Sequence, residues 1–341
     1  MANGVGKRIR QWFAAVVVIA LFAGLIAAYF NRTAINDSFA AWGFTPSGRI
    51  AAIHHAIDLT PEGDRIFLAS RPTVGGREEF SKWCANVDHS EHGHVLGCYA
   101  DKRIHLFEVT DERLAGIVEV TAAHELLHAA FARLSTSERT RISKELRAEY
   151  ERYAAVDPDF AERMSVYSHL SATGFANELH SVFGTEIGEL SPELEQHYAR
   201  WLGDRAGIVQ MHESYRSVFN ELTAQVKSLT AELEELRADI EKRNAAYDDD
   251  VRRFNTDATD FKARNERYEF SGNEELFNEI RADLLRRQTE LGERLAALQA
   301  DTERFNEMRE QLLALNSVSV ELNSALDSSL PTPTARPESE E

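Results

Sequence analysis

The chain has 341 residues, a net charge of -18 and 43% apolar residues. That length holds one or two domains with a sizeable core, and the apolar share excludes a wholly disordered polymer. The acidic balance excludes nucleic acid as a partner, because phosphate recognition needs clustered Lys and Arg.

The chain opens with a basic segment, residues 1–11, containing Lys7, Arg8 and Arg10. An uncharged apolar run follows, residues 12–30. As a helix it spans roughly 28 Å, about the hydrocarbon thickness of a bilayer. It is longer than the ~7–15 apolar residues of a cleaved signal peptide, so a transmembrane signal anchor is expected. Positive-inside bias puts residues 1–11 in the cytoplasm and the rest outside. Cys84 and Cys98 are the two cysteines. In an oxidising compartment they are expected to form a disulfide, worth roughly 3 kcal/mol for a loop of about 15 residues.

Residues 38–207 have mixed patterning and hold most of the histidines. Ser47 to Leu59 reads as a helix. Asp64 to Ala69, with Ile66, Phe67 and Leu68 in succession, reads as a strand. Leu96–Tyr99 and Arg103–Val109 read as a strand pair turning at residues 100–102. From Asp111 a helix is expected to Leu134, and Ser135 with Glu138 forms a capping box for the next one. Asp157-Pro158 and Ser191-Pro192 each set an N-cap before a first-turn proline. The order implies an α+β domain.

Residues 208–327 read as a long helical hairpin. Phe219, Leu222, Val226, Leu229, Leu233, Leu236 and Ile240 hold a heptad pattern. Tyr247, Phe254, Phe261 and Tyr268 continue one seam position, while Arg243, Asp250, Asp257 and Arg264 occupy the other. Ser271-Gly272-Asn273 breaks the pattern, and a second stripe runs from Phe277 to Leu315. The simplest account is an antiparallel coiled coil, with dimerisation of one long helix as the alternative. Residues 328–341, rich in Pro and Glu, are expected to be disordered.

His124-Glu125-Leu126-Leu127-His128 carries the chemistry. On a helix the i, i+4 spacing puts both imidazoles on one face, where they can hold Zn²⁺. Glu125, about 100° round, can serve as general base toward a water on the metal. A catalytic zinc needs a third protein ligand. Phe131 and Leu134 stand where an extended motif would place Gly and His, so a Glu from a second helix is expected. Glu178 is the leading candidate. Glu186, eight residues after Glu178, could share its face, but Gly184 is expected to interrupt that helix, and His180 points away at about 200°. His89, His92 and His94 read as a surface loop. Tyr167, His197 and Tyr198 are open candidates for stabilising an oxyanion.

His124-Glu125-x-x-His128 together with Asn177-Glu178-x-x-Ser181 resembles the gluzincin metallopeptidases of the thermolysin type. The resemblance covers two helices. It implies a zincin-like domain with His124, His128 and Glu178 as zinc ligands and Glu125 as catalytic base, acting on a peptide or protein substrate. Val182 stands where the family has an Asp that orients a ligand imidazole. The rival account is a membrane-tethered scaffold whose hairpin binds a protein partner and whose metal is structural. The presence of both histidines and the glutamate favours the enzyme.

Overall fold

A computed structural model describes residues 21–22, 26, 29, 31–46, 48–85 and 94–328. The expected anchor, the first eleven residues, the tail from 329, and His89 and His92 lie outside them, apart from four anchor residues. Among the described residues no helix is long and apolar enough to cross a membrane.

The chain is mostly helical, with one small sheet. Helices α1 (Arg32–Trp42), α2 (Gly48–Ala56) and α3 (Pro61–Ala69) lead into strand β1 (Thr73–Gly75) and α4 (Arg77–Cys84). Strands β2 (Gly97–Ala100) and β3 (Arg103–Phe107) follow, then α5 (Ile117–Arg133), α6 (Thr136–Ala154), α7 (Pro158–Ser165), α8 (Ala172–Thr185) and α9 (Pro192–Tyr198). Two long helices complete the chain, α10 (Arg205–Glu266) and α11 (Glu274–Leu326). By contact density it divides into Met1–Val218 with Asn323–Glu341, and Phe219–Leu322.

In the first unit the sheet order is β1-β3-β2, with β1 parallel and β2 antiparallel to β3. The β2–β3 pair turns through Asp101 and Lys102, both at positive φ, a two-residue hairpin loop matched to strand twist. The disulfide Cys84–Cys98 ties the end of α4 to β2.

The segment expected as a strand at Asp64–Ala69 is helix α3 instead. Thr60 accepts a hydrogen bond from Gly63 N and Pro61 occupies the first turn, the same start signal as at Asp157-Pro158 and Ser191-Pro192. The apolar triplet then buries Ile66 and Phe67 on one helix face. The helix expected from Asp111 is likewise split. A short 3₁₀ turn, Glu112–Leu114, ends before Gly116, whose φ of 94° breaks the helical path, and α5 starts afresh at Ile117. The capping box at Ser135 and Glu138 is present.

The core gathers around α5, where Ala122, Ala123, Leu126, Leu127 and Ala129 are fully buried. Two other buried groups are histidines. His105 on β3 sits beside Thr73 Oγ1 at 2.8 Å and stacks on Trp83, and His197 meets His180 at 2.9 Å between ring nitrogens.

In the second unit α10 and α11 pack along one another. Arg243 pairs with Asp301, Asp250 with Arg294 at 2.6 Å and Asp257 with Arg287 at 2.7 Å. Each step of seven residues forward on α10 is seven backward on α11, so the helices are antiparallel and the charged seam positions meet opposite charges. The turn differs in detail from expectation. Tyr268 leaves the seam, 81% exposed at φ 60°, and Phe270 takes its place between Phe261 and Phe277.

Two outcomes follow. Burial lowers His105 and His197 from 6.5 to about 4. Both therefore bind protons more weakly folded than unfolded. Stability is full above pH ~6.5 and falls as pH drops toward about 4, each histidine adding a slope of up to about 1.4 kcal/mol per pH unit. Denaturant titrations across that range check it, and His105→Gln should flatten the slope. In the helical pair, Asp250→Arg or Arg294→Asp alone should speed amide exchange around the exchanged charge, and the double reversal should restore protection.

Candidate metal centre

Two helices build the site. α5 is alanine-rich on its buried face, so neighbouring backbone comes close. α8 meets it through Gly184, where a Cβ would stand 2.2 Å from Leu127 Cδ1 and 2.9 Å from Tyr198 Cε1. Gly184 therefore does not interrupt α8, contrary to expectation. It is the contact that lets α8 lie against α5, and the helix runs on to Thr185. Ser171 caps its start by accepting from Gly174 N.

This packing brings together His124, His128 and Glu178, each offering one ligand atom within 4.8 Å of the others. His128 Nε2 and Glu178 Oε2 are 3.7 Å apart. Two ligands of a tetrahedral zinc at ~2.0–2.1 Å stand roughly 3.4 Å apart, close to the His128–Glu178 separation and shorter than the 4.8 Å span of the group. Other observations fit a cation. His124 Nε2 is buried without a hydrogen-bond partner, as a nitrogen reserved for a cation would be. Burial also lowers both imidazoles, His124 well below 6.5 and His128 to about 4, so both are neutral and able to ligate. The like-charge influence of His128, Arg163 and His212 adds to the effect at His124.

Behind His128, its Nδ1 and the Oδ1 of Asn177 are both buried without a hydrogen bond. The Asn177 side chain acts to raise His128, against the larger lowering by burial. Val182, at the position of the missing carboxylate, is buried and apolar.

Glu125 is 2% exposed, on the side of α5 facing the sheet. A Cβ on Gly97 would lie 2.7 Å from Glu125 Oε1, so β2, the edge strand, passes directly over this carboxylate. Glu186 is committed elsewhere. It forms an ion pair with Arg163 and lies 3.6 Å from His212 Nε2.

His180 is buried in the core against His197, with Tyr198 Oη donating to its carbonyl at 2.8 Å. That places two of the three oxyanion candidates, His197 and Tyr198, in core packing. Tyr167 is buried within electrostatic reach of Arg163. His94, at the end of the cysteine loop, lies 3.2 Å from Asn323 Oδ1.

Sequence reasoning missed Arg163 and His212. His212 is 5% exposed near the start of α10, edge-on to Tyr215, with its Nδ1 lacking a partner. Its signal was available: it is the only histidine after Tyr198, set in a segment otherwise read as a heptad helix.

No family model, curated protein or solved structure matches the chain. The site's chemistry thus rests on its own geometry.

The geometry separates the two glutamates. Glu178→Gln should weaken zinc binding by more than about a hundredfold in a chelator-competition titration, beyond the 10–100-fold typical of outer-sphere changes. Glu186→Gln should retain wild-type affinity, since its carboxylate belongs to Arg163.

Proposed function

We propose that the chain is a membrane-anchored zinc metallopeptidase of the zincin type, working outside the cytoplasm on peptide or protein substrates. The observation that carries this reading is the convergence of two imidazoles and one carboxylate, from two helices, on a single point. The disulfide supports an oxidising compartment, and the apolar run 12–30 supports anchoring there.

When bound, zinc supplies Lewis acidity, lowering the pKa of a water and polarising a peptide carbonyl. The chain's own residues do the rest. His124, His128 and Glu178 would hold the ion. Glu125 accepts the proton of the attacking water and delivers it to the leaving amine. The edge strand β2, passing over Glu125, is placed to pair with an extended substrate backbone. Arg163 and His212 lie within electrostatic reach of His124.

The antiparallel coiled coil of α10 and α11 serves in this reading as an arm for a protein partner. Its length and its exposed outer faces favour the second reading, a tethered scaffold whose metal is structural. One variant separates the two. Glu125→Gln removes the base and no ligand, so zinc content should stay at one per chain while cleavage of a peptide library falls by at least about a hundredfold. Undiminished cleavage would remove Glu125 from the mechanism. Absence of cleavage by the wild type, with zinc bound, would favour the scaffold.

A further inference from the structure

Helix α1 has two unlike faces. Inward it sends Asp37, 9% exposed, whose carboxylate receives Arg133 Nε at 2.8 Å and Nη2 at 3.0 Å. Arg133 is the last residue of α5, and its Nη1 donates to Tyr99 Oη on β2 at 3.0 Å. One buried ion pair thus clamps α1 to the helix that carries His124 and His128, and to the strand over Glu125.

Outward, α1 presents Ile35, Phe39 and Trp42. The i, i+4, i+7 spacing places them in one stripe about 60° wide, opposite Asp37. Their exposures are 38%, 68% and 89%, and Trp42 is the most exposed large apolar residue among those described. Single exposed apolar residues are ordinary, but an aligned stripe ending in Trp marks a surface that something covers.

The position of the stripe identifies its cover. Ile35 lies only five residues after the apolar run closes at Phe30. Asn31 is in a turn, and α1 begins at Arg32. Five residues reach at most about 18 Å even fully extended, so this short tether holds the start of α1 close to the bilayer surface. Arg32 sits 5.0 Å over the ring of the exposed Tyr29, and Trp and Tyr favour this zone.

We propose that Ile35, Phe39 and Trp42 lie in the headgroup region of the membrane that holds the anchor. The Asp37–Arg133 pair then fixes the height and tilt of the metal-bearing helix above the lipid. This rests on the anchoring proposed above.

The test uses the full chain in nanodiscs at one chain per disc, with an environment-sensitive label at Phe39→Cys and, for reference, at the exposed Val156→Cys. Shallow spin-labelled lipids should quench the first label at least about twofold and leave the second unchanged, because an interfacial helix buries its apolar face ~5–10 Å deep. Co-flotation with vesicles reads the anchor separately. A chain that floats while its Phe39 label stays water-like and unquenched overturns the stripe and leaves the anchor standing. A chain that does not float overturns both. A label shielded only at several chains per disc overturns the proposal in favour of a second copy as the cover. Energy transfer from the Val156 label to acceptor lipids reads the clamp. Asp37→Ala, with quenching at position 39 retained, should broaden that distance distribution, and an unchanged distribution overturns the clamp.

Discussion

The candidate site depends on how closely two helices can approach. Glu178 reaches His128 because α8 lies against α5, and α8 can do so because position 184 has no side chain where Leu127 and Tyr198 press in. The same closeness removes water from the imidazoles. Burial keeps them neutral, which leaves a lone pair on each available for a cation. Packing, protonation state and ligand geometry are consequences of one contact.

Charge is distributed to protect that arrangement. Arg163 binds Glu186, so that nearby carboxylate is engaged outside the group of His124, His128 and Glu178. Arg205, at the start of α10, donates to the carbonyls of Phe183, Ile187 and Gly188 and pairs with Glu195. It satisfies acceptors that the end of α8 would otherwise leave bare, and a cation at a helix C-terminus is also favoured by the dipole. Near the sheet, Arg49 bridges Glu108 and Glu119 at 3.0 Å each, joining the chain after β3 to the first turn of α5.

The parts of this structure legible in the sequence are those written in local chemistry. Capping residues and first-turn prolines mark helix starts because they satisfy backbone donors within a few residues, and the paired histidines declare one face because helix geometry is fixed. Thr60-Pro61 carried the same information, but the run Ile66-Phe67-Leu68 outweighed it, since a short apolar run suits a strand or a buried helix equally. Strand β1 is three residues long and defined by its pairing to β3, so no local pattern announces it. Gly184 was read as a breaker because propensity describes an isolated helix, whereas here tertiary contact sets the outcome. Arg163 and His212 are remote in sequence from the motif they approach, and only the folded chain relates them.

The charged positions between α10 and α11 also settle a question that their leucines leave open. Apolar stripes repeating every seven residues fit together almost as well after a slip of one heptad, so burial alone does not choose an alignment. The order Arg243, Asp250, Asp257 on one helix meets Asp301, Arg294, Arg287 on the other. A slip of seven residues in one direction would set Arg243 against Arg294, and in the other Asp250 against Asp301. Each slip sets like charges together and keeps one opposite pair, Asp250 with Arg287 or Asp257 with Arg294, so both adjacent frames are penalised relative to the alignment with three opposite pairs. The rungs act as a key that admits a single alignment of the helices, and it is their order along the chain that carries this information.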